Sequence, residues 1–504
     1  MGSKSRTPTT RPKPALDEAL LKECEDALDK LMDELSADEL PFEAYEKKLL
    51  QIVHEIARHK LEKKLQTTAD GFARRLVFDH LVDQIPSRDD DTVTEYWRHC
   101  PGSATYHSLV GPLRVRRFTY RERGSTASCV PLELATGLIE HMTPGLARCV
   151  AIGYAHMPLR VCEELMIAGS LCPPSRSTLD RSARDLGAYA VACNTEIEPL
   201  VRANEVLPAS TVTLALGLDR VAVPMRHGEE HEGIRTYMPA RHHSRPTPKP
   251  RATLKGPVQW RMDYVGTVAF LDDNKQLLAS RKYRVPADAD VTTIVERVMA
   301  DLRHALVQRP VEIAVIQDGA PELWSAMKSA LDAEPLADTW TEVLDWYHLD
   351  ERLSRCLDVC ASAAEREALR ARWHQALLET TGGADDVIRE LRCAADEADA
   401  HDADDLAVHI GYLERNRERT NYAECRARAI PIGSGVTEGS CKSVVNVRAK
   451  RSGQRWSQRG LSAVLHLRAV HESDRFDRFW AFFAGRYRAR HIVPIGVDSA
   501  HRAY

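Results

Sequence analysis

The sequence has little of what would place a chain in a membrane or brace it outside a cell. None of its 504 residues belongs to an apolar run of transmembrane length. Its first residues are polar, so no signal peptide is expected. Its twelve cysteines are scattered, with no CxxC spacing. In a chain of this size that pattern points to reduced thiols and a cytoplasmic location rather than a disulfide framework. A general excess of positive charge is also missing. The net charge is -4, so any nucleic-acid surface has to be local. What is present is ordinary for a soluble protein, and the length suffices for several domains with cores of their own.

Taken in order, residues 1–14 (MGSKSRTPTTRPKP) are polar, basic and proline-containing, and are expected to form a disordered tail. From 15 to 100 the periodicity predicts a helical assembly region. Leu20, Leu21, Ala27, Leu28, Leu31 and Met32 share one helix side, and Leu49, Leu50, Val53, Ile56 and Leu61 another. These suit a helical hairpin or a dimerising coiled coil. Residues 101–205 read as a β-hairpin plus a helix-turn-helix-like DNA-binding region. YHSLVGPLRVRRFTYR at 106–121 predicts a strand pair with a Gly-Pro turn. The break at 170–178 then separates two helices, with Arg176, Arg181 and Arg184 on or near the second. An ordinary helix pair has the same outline. Cys100, His107 and Cys129 flank the strand pair, but three scattered residues do not compose a zinc site.

The texture changes at about 206, where an α/β core begins and runs to 360. TVTLALGLD at 211–219 is a strand ending on Asp219. A polar loop fills 225–257, strands follow at 258–271 and 277–285, and a helix spans 291–306. VEIAVIQDGAPELW at 311–324 is a short β-branched run suited to burial on both faces. It ends on Asp318; Gly319 breaks it, and Pro321 opens a helix. EVLDWYHL at 342–349 predicts a fifth strand, in which Asp345 and Tyr347 face one way and Trp346 and His348 the other. A backbone-capped buried histidine is the plain alternative for His348. Residues 361–427 carry no strand signal and read as an all-α insertion. Residues 428–470 return to the core with a helix from about Val436, and 471–504 read as a C-terminal tail.

A carboxylate at the end of a central strand stands where ligands collect in α/β sheets, although Asp318 alone is equally a helix cap. Asp219 ends the first strand, and Glu438 lies in the first turn of the helix after the insertion. In an RNase H-like sheet the first and fourth strands are neighbours, so the ends bearing Asp219 and Asp318 would converge, and Glu438 on a later helix can complete the group. Hard carboxylate oxygens bind Mg²⁺, and two such ions about 3.5–4 Å apart serve in-line phosphoryl displacement. Without cations the three charges would repel and push at least one pKa upward. Lys442, Arg448, Lys450, Arg451, Arg455, Arg459 and Arg468 follow, with Trp456 among them and no acidic residue before Glu472. Such a run suits a phosphate backbone, the alternative being a solvated helix face.

With these motifs the chain resembles DDE transposases of bacterial insertion sequences, in particular the ISKra group. The resemblance is carried by GLDRVAVPM at 217–225, VIQDGAPELW at 315–324, DWYH at 345–348 and PIGSGVTEGSCKSVVNVRAKRSGQRWS at 431–457. YHSLVGPLRVRRFTYRE, VPLEL and PPSRSTLDR, at 106–122, 130–134 and 173–181, are similar to that group as well, so the likeness covers about residues 95 to 470. It implies an RNase H-like core with a mixed five-stranded sheet, split by a helical insertion. It also implies that Asp219, Asp318 and Glu438 are a metal-binding catalytic triad for two Mg²⁺ ions, with Mn²⁺ as substitute. DWYH looks like the [C/D]-x-x-H signature of related groups, which makes Asp345 and His348 auxiliary to the site. The implied partners are double-stranded DNA, as transposon ends and target, and further copies of the chain in a dimer or higher oligomer. The implied location is the bacterial cytoplasm, at the nucleoid. Relatives can carry cysteine pairs beside the early hairpin; this chain has only the isolated Cys100 and Cys129. A structure-selective nuclease of the same fold and a non-catalytic DNA-binding protein descended from a transposase are the competing readings.

Overall fold

The computed structural model describes residues 18–35, 41–78, 94–122, 128–226, 258–286 and 289–490. The tail expected at 1–14, nearly all of the polar loop expected at 225–257, and residues 491–504 lie outside the described residues. Two compact units divide the rest: 18–146 with 163–176, and 147–162 with 177–490. No helix among the described residues is long and apolar enough to cross a membrane.

The first unit opens with α1 (Glu18–Leu35) and α2 (Phe42–Asp70). A four-stranded antiparallel sheet comes next, formed in sequence order by β1 (Arg75–Phe78), β2 (Thr94–Ser108), β3 (Gly111–Glu122) and β4 (Ser128–Cys129). Leu113 and Val115 turn inward against Leu65, Ala69 and Tyr106, while Arg114 and Arg116 between and beside them are exposed, the period-2 pattern of a half-buried strand. The C-terminal half of α2 closes the outer edge of β3. Backbone N–H groups of Arg114 and Arg116 donate to Glu62 Oε2 and Gln66 Oε1, each at 2.9 Å. Two expectations need correction here. Residues 75–78 and 94–100 are strand, so the stretch to 100 is not helical throughout. The hairpin turns at Leu109–Val110, and Gly111 opens β3 at φ +114°, a backbone shape that L side chains rarely adopt.

A short helix, α3 (Pro131–Thr136), leads to α4 (Pro144–His156), α5 (Leu159–Ala168), α6 (Arg176–Ala192) and α7 (Asn194–Ala203). The stretch expected to form a helix-turn-helix contains the helices α5 and α6, and α6 is not a bare recognition helix. Its Leu179, Ala183, Leu186 and Ala190 are buried, and a Cβ on its Gly187 would stand 2.8 Å from that of Ala463. Residues 177–203 therefore pack within the second unit, which corrects the expected boundary at 205.

That unit is built on β5 (Thr213–Met225), β6 (Gln259–Leu271), β7 (Leu277–Pro286), α8 (Val291–Gln308), β8 (Glu312–Gln317), α9 (Pro321–Asp332), β9 (Thr341–Leu344) and α10 (Trp346–Cys360). The five strands form one mixed sheet in the order β7-β6-β5-β8-β9. β5, β8 and β9 run parallel, and β6 and β7 are antiparallel additions. Alternation along β5 sends Leu214, Leu216 and Leu218 to one face, where α8 and α9 bury them. Ala215 goes to the other face with Ala314 and Ile316 of β8. The predicted insertion is helical, as α11 (Arg366–Glu379), α12 (Gly383–Glu397), α13 (Ala400–Arg415) and α14 (Tyr422–Ala427). Its Trp373, Leu391, Leu413 and Tyr422 join Ala215, Ile316 and Val343 in one continuous core, so it is fused to the sheet rather than appended.

The chain then returns as α15 (Gly435–Ser440), a wide π-type turn (Cys441–Asn446), α16 (Val447–Ala449), α17 (Gln458–Glu472) and α18 (Phe476–Arg490). The expected tail from 471 is ordered helix up to 490: Phe479 and Phe483 of α18 are buried, and Phe483 and Tyr487 lie against Tyr189. Arg475, between α17 and α18, is sunk into a buried ionic network. Its Nη2 lies 2.6 Å from Glu205 Oε2 and 2.8 Å from Asp301 Oδ1, and it also donates to the Tyr283 hydroxyl. Removing one partner of such a group leaves the others charged and dry. Arg475→Ala should therefore cost about 3–5 kcal/mol, read as a large fall in melting temperature; a variant within about 0.5 kcal/mol of wild type would mean that water replaces the guanidinium.

Candidate active site

The parity of β5 and β8 sets the site. Leu216 pairs with Val315 in the parallel ladder, and Asp219 and Asp318 each lie three residues further on. Each lies an even number of residues beyond a position on the same sheet face, Asp219 four beyond Ala215 and Asp318 two beyond Ile316. The carboxylates thus leave neighbouring strands side by side. β5 runs on past Asp219 to Met225, whereas β8 stops at Gln317 and the chain turns into α9. The N-cap of α9 is Ala320; Asp318 instead takes the Ala320 N–H on Oδ1 at 3.0 Å, while its carbonyl holds Trp324 Nε1 at 2.6 Å.

Glu438 reaches this face because the face is nearly flat. α15 lies on the sheet at Gly217, where an added Cβ would run into Thr437 Oγ1. Thr437 is tied there by a 2.7 Å hydrogen bond to Thr267 of β6. The neighbouring residue is Glu438, and one turn later the Cys441 thiol donates to Asp219 Oδ2 at 3.1 Å. Gly319 serves the same purpose on the other side, since a Cβ there would strike the ring of Tyr412 from α13. The insertion thereby closes one wall of the site. Arg352 holds Tyr412 from above, its guanidinium carbon 3.9 Å from the ring centroid.

DWYH takes a shape the sequence does not predict. β9 ends at Leu344, and Asp345 is the N-cap of α10, so Asp345 and His348 share one turn instead of facing opposite ways. Asp345 is fully buried. It accepts from His348 N at 3.0 Å, His348 Nδ1 at 2.6 Å and Ser434 N at 2.5 Å. Burial alone would raise its carboxyl, but the His348 bond and the two backbone donors outweigh that and hold it below the ordinary range. The same bond to Asp345 pushes His348 up to about 9, against the opposing effect of its partial burial, with Asp318 and Glu438 adding to the rise. His348 Nδ1 stands 4.0 Å from Glu438 Oε1, and Lys442 Nζ reaches Glu438 Oε2 at 3.1 Å. Trp346 N donates to Ile432 O at 2.9 Å, and a Cβ on Gly433 would stand 2.8 Å from the Tyr347 ring. DWYH and PIGSG are two halves of one clamp at the base of α15.

Asp219 is raised by burial first. Asp318 adds to the rise, and the Cys441 bond, the Arg220 N–H and the His348 charge offset it. Asp219 thus lies near Asp318, but Asp219, Asp318 and Glu438 are not among the groups of described residues whose ligand atoms all come within 4.8 Å of one another. Asp345, His348 and Glu438 do lie close enough together for a metal. That trio does not suit one, because Asp345 is saturated by N–H donors and the near nitrogen of His348 carries a proton toward it. His156, His471 and Glu472 form another such group. There the Arg468 guanidinium, which only donates, lies 2.8 Å from His156 Nδ1, so the neutral ring keeps its proton on Nε2 and closes to a metal. Cys100 pairs with Thr119 and His107 with Pro112, seven residues apart along β2, so with Cys129 they do not meet as a zinc site.

The expected DNA-contacting residues divide sharply. Lys442 and Lys450 are exposed. Arg448 is buried, lies 4.8 Å over the Trp456 ring and points at Tyr154 O, and burial pulls it down to about 10. Arg451 is half-buried and bonds Val447 O and His156 O, and Arg455 is half-buried as well. Trp456 is a strut: its ring donates to Ala449 O and its backbone bonds Pro224 and Arg226 at the end of β5. The π-type turn changes which side of the chain beyond it faces inward. One extra residue in a turn rotates the residues beyond it by about 100° relative to a continuous α-helix. On the earlier helix Arg176 is exposed and pairs with Glu163 at 2.7 Å, Arg181 is exposed, and Arg184 pairs with Asp180 at 2.6 Å. Cys441, Tyr412, Thr437 and Ser434 are site residues that sequence reasoning missed; only the glycines beside Asp219 and Asp318 hint at such close neighbours.

No family model matches the chain, and no curated protein matches it.

This geometry makes two outcomes testable. Gly217→Ala should leave the sheet folded but lift α15, lowering activity at the site at least tenfold; unchanged activity would show that Glu438 does not need that contact. His348 has a raised pKa, so its pairing contributes fully below about pH 6.5 and is lost as pH rises through about 9. The stability difference between wild type and His348→Gln, from denaturant melts, should shrink across about pH 7–10. It should be modest, because the ring is 40% exposed. A difference that stays constant over that range would mean that the ring is not charged.

Proposed function

We propose that this protein is a DNA transposase of an insertion sequence. On this reading its mixed sheet is an RNase H-like core, and Asp219, Asp318 and Glu438 are the catalytic triad. The observation that supports the proposal is that two strand-end carboxylates leave neighbouring strands in matched register on one sheet face, and that the helix bearing the glutamate is seated on that same face at Gly217. The three carboxylates would hold Mg²⁺, two ions per site with Mn²⁺ as substitute, whose chemistry there is charge stabilisation of the attacking and leaving oxygens of an in-line displacement at phosphorus.

The chain's own groups divide the remaining work. Asp345 orients His348 and keeps it charged. His348 and Lys442 flank the two oxygens of Glu438 and fix its direction. Tyr412 and Trp324 wall the site beside Asp318. Water would attack at the element's ends, and each freed 3′-hydroxyl would then attack target DNA, with no covalent enzyme intermediate. Double-stranded DNA is the proposed partner, joined by a second copy of the chain for synapsis, in the bacterial cytoplasm.

Asp219→Asn, Asp318→Asn and Glu438→Gln should each reduce Mg²⁺-dependent end cleavage at least a thousandfold and leave the fold intact. Wild-type cleavage in any one of them would falsify that residue's assignment. Joining of labelled ends to a plasmid separates a transposase from a nuclease of the same fold. An absence of cleavage in the wild type with end DNA and Mg²⁺ would favour a DNA-binding protein without catalysis.

A further inference from the structure

We infer that the exposed β1-β2-β3 ribbon of the first unit is a binding element for double-stranded DNA. The three strands hold six arginines, at 75, 98, 114, 116, 117 and 121, and only two acidic residues, Glu95 and Glu122, both at one end of the ribbon. Two of the six are used internally. Arg98 bonds Phe72 O and lies 4.2 Å over the Phe118 ring, and Arg117 faces Glu133 at 3.8 Å. Arg114, Arg116 and Arg121 are exposed, as is Arg74 just before β1. Among the described residues none of these four side chains makes an ion pair or a hydrogen bond.

The neighbours leave them reachable. Arg114 stands across from Thr105 and Arg116 from Ser103, both short and exposed. At the other end Arg75, Trp97 and Arg121 form one cross-strand row. Trp97 is 42% exposed, with the Arg75 guanidinium carbon 5.8 Å from its ring centroid. A large aromatic left in water between two arginines is not explained by packing. It suits a face that lies against sugars and base edges while arginines hold phosphates. Alternation puts Arg114 and Arg116 on one side of β3 and Arg121, an odd number of residues away, on the other, so the ribbon carries exposed arginine on both sides over about 23 Å.

Helix α2 leaves this ribbon fixed for such use. Its C-terminal half takes up the backbone donors of Arg114 and Arg116, which otherwise form an open sheet edge. What the ribbon offers outward is therefore side-chain charge. Charge complementarity chooses a polyanion, and the proposed function, on which the inference rests at this one point, chooses DNA among polyanions.

The test uses the full chain carrying Asp219→Asn, so that cleavage stays out of the readout, and fluorescence anisotropy on labelled duplex DNA across a salt series. Arg114→Ala/Arg116→Ala/Arg121→Ala should weaken binding about tenfold or more near 0.1 M salt. It should also flatten the slope of log affinity against log salt by about 2 to 3, near 0.9 per lost phosphate contact. The triple lysine variant should restore most of the slope. Trp97→Ala should weaken binding several-fold with the slope unchanged, since it carries no charge. An unaltered slope and affinity in the triple alanine variant, with the same circular dichroism and melting point as the parent, would overturn the inference. Duplex RNA competing as well as duplex DNA would overturn the choice of DNA. A wild-type chain that binds through the ribbon but never cleaves would sink the transposase reading and leave this one standing.

Discussion

Everything at the candidate site depends on one absence, the missing side chain at Gly217. The sheet face that carries Asp219 is lined by Ala215, Ala269 and Ala314 as well, so a helix can lie almost on the backbone. Thr437 fills the space above Gly217 and hydrogen-bonds Thr267, which sets the height and rotation of α15. Glu438 and Cys441 take their places from that seat. A bulkier face would bury as much apolar area, yet it would hold the glutamate a side chain's width further from the two aspartates.

Three carboxylates near one another create an electrostatic problem, and His348, which interacts with Asp219, Asp318 and Glu438, answers part of it. His348 is charged because buried Asp345 holds it, and Asp345 tolerates burial because three N–H groups converge on it. The last of those donors is Ser434, on the loop that enters α15. One hydrogen-bonded knot thus supplies a positive charge beside Glu438 and anchors the helix that bears Glu438. Cutting it removes both contributions at once.

Much of this site is readable in the sequence for a physical reason. A two-residue period has one free parameter, so Asp219 and Asp318 at the ends of apolar runs must leave on definite faces. The five strands and the helical insertion come from the same periodicities. Where the reading fails, a local rule is overridden by a side chain's own chemistry. Asp-Trp-Tyr-His looks like strand because its aromatics favour strands, but an aspartate with three donors to satisfy starts a helix instead. The strands at 75–78 and 94–100 are hidden because one is short and the other carries a bulge between Arg98 and Cys100. Tyr412 is illegible because its place depends on how the insertion folds back, a matter of tertiary packing that no local pattern encodes.

Arginine is the residue on which sequence counting misleads most. Arg448, Arg451 and Arg468 lie in a run with no acidic neighbour, the pattern of a phosphate-binding stripe, yet Arg448 and Arg468 are buried and all three bond backbone carbonyls. A guanidinium can do this because it is planar, weakly hydrated and able to stack, as Arg448 does on Trp456. Lysine, with a compact and strongly hydrated charge, remains outside at 442 and 450. Arginines in a strand have fewer choices. Alternation commits every second one to solvent, and a neighbouring serine or threonine gives it nothing to stack on or neutralise. On the hairpin, Arg114, Arg116 and Arg121 therefore stay exposed where the backbone keeps them from burial.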